Sequence, residues 1–297
     1  MNGTRPTASV RSLLAGAASH LANVSNEPQL EGQVLLAHVL GRDRSWLYTW
    51  PEHIPEAALA ARFHRLVARR AAGHPVSHLT GEREFWSLSL MVGPDTLIPR
   101  PETEHLVECA LQLALPRDAR VIDLGTGSGA VALALASERP AWQITATDLS
   151  GPALDIARGN AARLGLSNVR FLQGAWFDLP EAPPALHLIV SNPPYVASAD
   201  PHLDRGDLRF EPRAALVSGT DGLADIRRIV AAAPTHLRPG GWLWLEHGHD
   251  QGSAVAELLD EWGFVGIERR RDLAGNDRLS GGQWPLEGPL DAEGLPP

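Results

Sequence analysis

Apolar residues recur at helical spacing through the first 80 residues of the chain. The segments SVRSLLAGAASHL, QLEGQVLLAHVLG and EAALAARFHRLVARRAAG place apolar positions three and four residues apart, and prolines and glycines separate these segments. This stretch contains no convincing strand pattern. It therefore predicts a small all-helical domain over residues 1–82.

A short alternating pattern follows the helical part. EFWSLSLMVGPDTLIP alternates apolar and polar positions, which predicts a β-hairpin linker over residues 83–98. The chain then enters RPETEHLVECALQLAL, where Pro101 suits the first turn of a helix and Glu102 and Glu104 favour its positive end. Cys109, the one cysteine, is predicted to be a buried thiol in this helix.

From Arg120 onward, predicted strands and helices alternate. RVIDLG, QITATD, VRFLQG, LHLIVS and GWLWLEHG have the apolar character of buried strands, helical patterns lie between most of them, and a final strand pair follows. Such alternation predicts an α/β domain with a mostly parallel sheet and helices on both faces, over residues 99–284. The proline- and glycine-rich residues 285–297 are predicted to be a disordered tail.

Composition narrows the classes of function. A chain of 297 residues with 44% hydrophobic residues can build one large core and a smaller domain. The net charge of −9 argues against broad binding to a phosphate backbone, so no direct nucleic-acid binding is expected. No signal-peptide pattern occurs, and no apolar run approaches the roughly 20 residues that a membrane span requires. We therefore expect a cytoplasmic protein that does not associate with membranes.

The turn after the first predicted strand of the sheet, in VIDLGTGSGA, indicates a cofactor site. Glycines at 125, 127 and 129 permit a tight turn and let a ligand approach the backbone at the start of the next helix. Asp148 ends the next strand, where a carboxylate can accept hydrogen bonds from ribose hydroxyls or cap the following helix. A nicotinamide dinucleotide and S-adenosylmethionine both fit this pattern. Asp123 favours S-adenosylmethionine, whose methionine amine is cationic, but it suits equally a structural role toward the N–H groups of the turn.

A second motif, NPPY, follows the strand LHLIVS. Proline lacks an N–H group, and the residue before a proline is held extended. The side-chain oxygen of Asn192 and the carbonyl of Pro193 therefore form two acceptors on a rigid frame, suited to a planar NH2 group. Tyr195 supplies an aromatic wall against which an amide or a base can lie. A simple turn is the structural alternative.

These motifs together resemble a known family. DLGTGSG after the first strand and NPPY after the fourth resemble the pattern of amino-group N-methyltransferases that use S-adenosylmethionine. With RRAAGHPVSHLTGEREFW, LIPRPETE, EPRAALVSGTDGL, LEHGHDQG and RDLAGNDR, the chain resembles the peptide chain release factor glutamine methyltransferases over nearly its whole length. The resemblance implies a Rossmann-like class I methyltransferase domain that methylates N5 of the glutamine in the Gly-Gly-Gln loop of release factors.

The resemblance also implies site residues. The cofactor would be held by Gly125, Thr126, Gly127, Ser128, Gly129, Asp148, Trp176 and Asn192. The substrate glutamine would be held, and its methylation catalysed, by Asn192, Pro193, Pro194 and Tyr195. Relatives often carry an aspartate before the tryptophan, where this chain has Ala175, which puts a contact to the adenine amino group in doubt; Asp178 is the candidate replacement. No metal site is expected.

The partner surface and the remaining motifs carry further hypotheses. The helical domain is expected to dock the body of the release factor, with a stabilising cap on the catalytic domain as the alternative, and the protein is expected to be a monomer. His247 and His249 are predicted to be structural. Gly281, Gly282 and Gln283 repeat the substrate tripeptide, which permits self-methylation in principle, but a terminal strand is the prediction.

Four other functions stay open at this point. A dehydrogenase would leave NPPY unexplained. An adenine-N6 nucleic-acid methyltransferase shares the logic of the pocket but should carry a basic surface. A non-catalytic module would keep the fold without needing intact motifs. A glutamine methyltransferase that acts on a ribosomal protein is the nearest rival.

Overall fold

The computed structural model describes residues 8–181, 185–272 and 274–286. Most of the predicted tail, residues 287–297, lies outside the described residues. The chain forms two units: one comprises the described residues up to Glu82 together with Asp204–Phe210, and the other comprises Arg83–Leu203 and the described residues from Glu211 onward. Within the described ranges, no helix is long and apolar enough to cross a membrane.

The first unit is helical around a small apolar core. Side chains such as Leu13, Leu35 and Phe63 are almost completely buried in it. Side-chain caps begin two of its helices: the Ser9 hydroxyl accepts from the backbone N–H of Ser12, and the Asp43 carboxylate accepts from that of Trp46 at 2.8 Å. The helices are α1 (Val10–Leu21), α2 (Pro28–Leu40), α3 (Arg44–Thr49), α4 (Ala57–Ala71) and α5 (Val76–Thr80).

A segment from the distant loop Ser198–Gly219 completes this unit. Arg70, buried on α4, binds Glu31 through Nε and Nη2 at 2.8 and 3.0 Å, and its Nη1 binds Asp207 at 3.1 Å. The rings of His74 and Phe210 lie 4.3 Å apart. A buried guanidinium needs several acceptors, and Asp207 supplies one of them from the second segment.

A β-hairpin follows the helices, as predicted. Strands β1 (Glu82–Phe85) and β2 (Leu88–Met91) pair with each other. The two residues between them, Trp86 and Ser87, have φ of 53° and 59°, the left-handed conformation that both central positions of a type I′ turn require. The Trp86 N–H groups are bonded to Glu104 and Glu138, which holds the turn against the following helices.

The second unit contains a seven-stranded sheet. Its order is β5-β4-β3-β6-β7-β9-β8; the first five of these strands are parallel, and β9 runs antiparallel to both of its neighbours. This confirms the predicted α/β class with a mostly parallel sheet, preceded by a helical part and a hairpin. The strands are β3 (Arg120–Leu124), β4 (Gln143–Asp148), β5 (Val169–Gln173), β6 (Leu186–Ser191), β7 (Leu237–Glu246), β8 (Val265–Arg271) and β9 (Asp277–Gln283).

Helices cover both faces of this sheet. Successive residues of the central strands serve different cores: Val121 and Leu188 face one apolar cluster, and Ile122 and Ile189 face the other. The helices of this unit are α6 (Glu104–Gln112), α7 (Ala130–Glu138), α8 (Gly151–Leu164), α9 (Ala224–His236) and α10 (Gly252–Glu261). Cys109 is buried on α6, as predicted, and burial raises the pKa of its thiol to about 11.

The Gly281-Gly282-Gln283 tripeptide lies in β9, between β7 and β8. Gly281 pairs with Trp244, whose indole covers it so closely that a Cβ there would lie 2.3 Å from the ring. The Gln283 side-chain Nε2 donates to the Gly240 carbonyl at 2.9 Å. The prediction of a terminal strand is confirmed, and the first glycine is explained by the indole that lies over it.

Candidate active site

The sheet order brings the two chemical motifs to one place. β4 and β5 lie to one side of β3, and β6 and β7 lie to the other, so a crevice opens between β3 and β6 at the carboxyl ends of the strands. Leu124 pairs with Ser191, and the Ser191 hydroxyl donates to the Leu124 carbonyl at 2.7 Å. The next residues, Gly125 and Asn192, therefore leave the sheet side by side.

The glycine loop leaves β3 in a conformation that only glycine adopts easily. Gly125, Gly127 and Gly129 have φ of 73°, 57° and 88°, all in the left-handed region. A Cβ at Gly127 would meet no protein atom within 4 Å, so this part of the loop borders open space. The backbone N–H of Thr126 donates to the Thr147 carbonyl at 2.8 Å, which fixes the loop to β4.

Asp123 lies beneath the loop and is 1% exposed. Its Oδ2 accepts from the Thr126 hydroxyl at 2.6 Å and from the Ala132 backbone N–H at 3.2 Å. Burial raises the pKa of Asp123 to about 7, while those two hydrogen bonds oppose the shift and the charge of Asp148 adds to it. The structural role considered for Asp123 is toward the N–H groups of the turn, but its backbone partner is Ala132 in α7, and in the turn it binds only the Thr126 hydroxyl.

Asp148, the last residue of β4, joins two elements. Its Oδ2 accepts from the Gly127 N–H at 2.9 Å and its Oδ1 from the Ser150 N–H at 2.8 Å. Burial raises its pKa, against the effect of these hydrogen bonds. The cap of α8 is Ser150, whose hydroxyl accepts from the Ala153 N–H at 3.2 Å. The helix-capping role considered for Asp148 thus belongs to Ser150.

Trp176 lies against the start of the glycine loop. A Cβ at Gly125 would lie 3.4 Å from its ring, and its Nε1 donates to Asp225 at 3.3 Å. Its φ of 55° is unusual for a residue with a side chain and marks a tight turn. Asp178 closes this turn, since its backbone N–H donates to the Ala175 carbonyl at 2.9 Å.

The NPPY segment is held from several sides. The Asn192 Nδ2 donates to the Thr103 hydroxyl at 3.1 Å. The Tyr195 hydroxyl donates to Glu246 at 3.3 Å, and the Tyr195 carbonyl accepts from Gln251 at 3.1 Å. Pro193 is buried, and burial raises the pKa of the Tyr195 phenol. These contacts hold Asn192 and Tyr195 in place, and Asn192 is the residue of the segment that lines the pocket described next.

A pocket joins the glycine loop to Asn192. Three of its lining residues, Leu97, Pro99 and Thr103, come from the LIPRPETE segment, which contributed to the resemblance but was assigned no contact. Glu211 holds this segment by accepting from the Ile98 N–H at 2.9 Å and by pairing with Arg100. The other lining residues are Asp123, Gly125, Thr126, Gly127, Ser128, Ala130, Val131 and Asn192.

His247 has a structural role, as predicted. It is fully buried, with Nδ1 2.8 Å from the Gly248 carbonyl oxygen and Nε2 2.8 Å from the Ser280 hydroxyl. Burial lowers its pKa. In the part of the chain that the structure describes, no three His, Cys, Asp or Glu side chains are grouped so that they could hold a metal ion.

Two family models match the chain. The model described as "PrmC N-terminal domain" matches residues 12–81, and the model described as "Methyltransferase domain" matches residues 115–251. The first range falls in the helical part, and the second contains both the glycine loop and NPPY.

Individual proteins are similar over nearly the whole chain. A release factor glutamine methyltransferase of Vibrio cholerae is 52% identical over 263 residues, which cover 89% of this chain and 92% of that protein. One of Burkholderia pseudomallei is 49% identical over 295 residues, which cover 96% of this chain and all of that protein. A solved methyltransferase from Pyrococcus furiosus shares the fold, with a TM-score of 0.51 at 19% identity over 77% of this chain and 100% of that one.

Proposed function

Because the chain belongs to the family of release factor glutamine methyltransferases, we propose that it methylates peptide chain release factors. The methyl group would pass from S-adenosylmethionine to N5 of the glutamine in the Gly-Gly-Gln loop. One observation carries the proposal: Asn192 and the Pro193 carbonyl leave β6 beside the glycine loop, where two acceptors can meet an amide NH2 group.

The residues around the pocket fit S-adenosylmethionine. The loop from Gly125 to Gly129 would let a ligand approach its backbone closely, since the space beside Gly127 is open. A Cβ at Gly125 would contact Trp176, which borders the loop there. Asp148, at the end of β4, would bind ribose hydroxyls in addition to the Gly127 N–H, and Trp176 would border the cofactor. When bound, S-adenosylmethionine supplies a methyl group on a positively charged sulfur. Asp123, whose pKa burial raises to about 7, lines the pocket, and a cationic ligand bound there would favour its ionised form.

The NPPY segment would make the glutamine amide reactive. An amide nitrogen is a poor nucleophile because its lone pair is delocalised into the carbonyl group. The Asn192 Oδ1 and the Pro193 carbonyl would accept the two N–H hydrogens, hold the nitrogen in line for attack, and stabilise positive charge as it develops there. A methylated, protonated amide nitrogen is strongly acidic, so the site needs no strong general base.

We further infer that the helical unit docks the body of the release factor. A short Gly-Gly-Gln loop offers few contacts for recognition, so a second surface should bind the protein. Tyr48, Trp50 and Ile54, at and after the end of α3, are 65%, 56% and 54% exposed. Large apolar side chains that are exposed near one another are typical of protein-binding surfaces.

The proposal is tested by methyl transfer from labelled S-adenosylmethionine to a purified release factor. The matched substrate is the same factor with its Gly-Gly-Gln glutamine replaced, and ribosomal proteins and duplex DNA are assayed in parallel. We expect label on the intact factor only. Label on ribosomal protein or DNA, with none on the factor, would support methylation of an amino group but contradict the release factor as the substrate.

A further inference from the structure

Glu246, the last residue of β7, is a buried carboxyl group beside the NPPY segment. Ser191 pairs with Leu245, so the next residues along these strands, Asn192 and Glu246, are neighbours at the edge of the sheet. Glu246 is 2% exposed, and its Oε1 accepts from the Tyr195 hydroxyl at 3.3 Å. A carboxyl group buried at this depth needs a reason, because burial of a charge is costly unless the charge is paired.

Thr103 connects this carboxyl group to Asn192. The Thr103 hydroxyl accepts from the Asn192 Nδ2 at 3.1 Å. Burial raises the pKa of Glu246, and the Thr103 hydroxyl opposes that shift, as a nearby donor does. The Glu246 Oε2 is buried and has no hydrogen-bond partner among the described residues, so the Thr103 hydroxyl does not reach it with hydrogen-bond geometry in this structure. Hydrogen bonds at catalytic sites are often long before substrate binds and tighten afterwards.

The direction of the interactions from Asn192 through Thr103 to Glu246 sets the orientation of the Asn192 amide. An ionised carboxylate only accepts, so a charged Glu246 nearby favours a Thr103 hydroxyl that directs its hydrogen toward Glu246 and accepts from the Asn192 Nδ2 with a lone pair. That lone pair can be met only by the NH2 end of the Asn192 amide. The Oδ1 end then points away from Thr103 and is available as an acceptor.

We propose that Thr103 and Glu246 are positioning residues that hold the Asn192 amide with Oδ1 toward the substrate. The inference rests on the proposed function, since Oδ1 matters only if an NH2 group is bound there. Without Thr103 and Glu246, the Asn192 side-chain amide can rotate by half a turn and present its NH2 group to the NH2 group of the substrate. Two donors would then face each other, and the nitrogen would not be aligned.

The first test compares two substitutions of Thr103. Thr103→Val keeps the shape but removes the hydroxyl, whereas Thr103→Ser keeps the hydroxyl. We expect Thr103→Val to lower kcat on the release factor by about tenfold, with the KM for S-adenosylmethionine nearly unchanged, and Thr103→Ser to remain near wild type. Glu246→Gln, which adds a donor, should behave like Thr103→Val.

Three results would overturn the inference. A wild-type kcat for Thr103→Val would show that the hydroxyl has no role. An equal loss in Thr103→Ser would attribute the effect to packing. A loss of thermal stability or of cofactor affinity that accounts for the lower rate would make the role of Thr103 structural only.

A pH profile gives a second measurement. Burial raises the pKa of Glu246 to about 7; Thr103, Tyr195 and Arg278 oppose this shift, and Glu102 adds to it. A protonated Glu246 can donate a hydrogen bond, so it no longer fixes the direction in which the Thr103 hydroxyl points. At saturating cofactor, the wild-type kcat should rise between pH 6 and 8, and this part of the rise should be absent in Glu246→Gln. Identical profiles would contradict the proposal.

A third measurement does not depend on activity. In a ¹⁵N-labelled protein, one side-chain NH2 proton of Asn192 should exchange slowly in the wild type and in Thr103→Ser, and rapidly in Thr103→Val. Equal exchange in all three would overturn the inference even if the enzyme proved inactive on release factors. Absence of methyl transfer by the wild type would instead contradict the proposed function.

Discussion

At the scale of single residues, Asp148 connects the glycine loop to the start of α8. We predict that Asp148→Ala weakens S-adenosylmethionine binding by at least about tenfold, because the acceptor for the loop N–H and for the proposed ribose contact would be lost. Isothermal titration of the cofactor measures this change. Asp155→Ala, an exposed carboxylate of the same helix that pairs with Arg158, is the control and should leave affinity unchanged. Equal weakening in both variants would contradict the assignment.

The raised pKa of Asp123 predicts a pH dependence of stability. Its pKa in the folded protein is about 7 and its ordinary value is 3.8, so between these values the folded state holds a proton that the unfolded state has lost. The stabilisation by the neutral carboxyl group is therefore complete below pH 4 and is lost as the pH rises to 7. Each pKa unit corresponds to about 1.4 kcal/mol.

Urea unfolding between pH 5 and 8 checks this prediction. Over that range the free energy of unfolding of the wild type should fall more steeply than that of Asp123→Asn, in which this carboxyl group cannot ionise. Parallel curves for the two proteins would show that Asp123 titrates normally in the folded state.

The residues that sequence analysis named differ in kind from those that it missed. Asn192 and the glycines stand in short motifs whose chemistry can be inferred locally. Thr103 lies 89 residues from Asn192 and meets it only through folding. Glu246 follows an apolar strand, and only the register beside Ser191 reveals what its carboxyl group contacts.

At the scale of elements, β9 depends on a glycine. We predict that Gly281→Ala destabilises the protein by about 1–3 kcal/mol, because the added methyl group would overlap the Trp244 indole. Chemical unfolding measures the change. Gly16→Ala in α1 is the control: its Cβ would meet no atom, and we expect about 0.5–1 kcal/mol of stabilisation. A neutral Gly281→Ala would mean that Trp244 moves aside freely.

The alternation of elements was predictable, but the partners of the last strands were not. An apolar pattern identifies a strand and its buried face without naming its neighbours. Nothing in RDLAGNDRLSGGQ indicates that β9 inserts between β7 and β8. No pattern in the sequence indicates that Asp204–Phe210 joins the helical unit, where Asp207 binds Arg70.

At the scale of the whole molecule, docking by the helical unit predicts that substitutions on its surface affect a complete release factor but not a short peptide. We expect Trp50→Ala combined with Ile54→Ala to raise the KM for a complete release factor by about tenfold, since buried aromatic anchors dominate binding surfaces. The KM for a short Gly-Gly-Gln peptide should not change. Steady-state methylation of both substrates measures the difference.

Val265→Ala provides the control for this prediction. Val265 is 49% exposed on β8, in the other unit, and its loss should affect neither substrate. An equal effect of the double substitution on factor and peptide would sink the docking idea and favour a stabilising role for the helical unit.

The tripeptide in β9 has a consequence for how the enzyme tells substrates from itself. Gln283 carries the same neighbours as the proposed target, yet its amide is bonded to Gly240 and its backbone is paired within the sheet. The same tripeptide is thus the proposed methylation target in the release factor and part of a β-strand in this protein. The difference is whether the glutamine amide is free to enter an active site. Because folding holds the Gln283 amide in the sheet, we expect that the enzyme does not methylate itself there. Peptide mass spectrometry after incubation with labelled cofactor should find Gln283 unmodified.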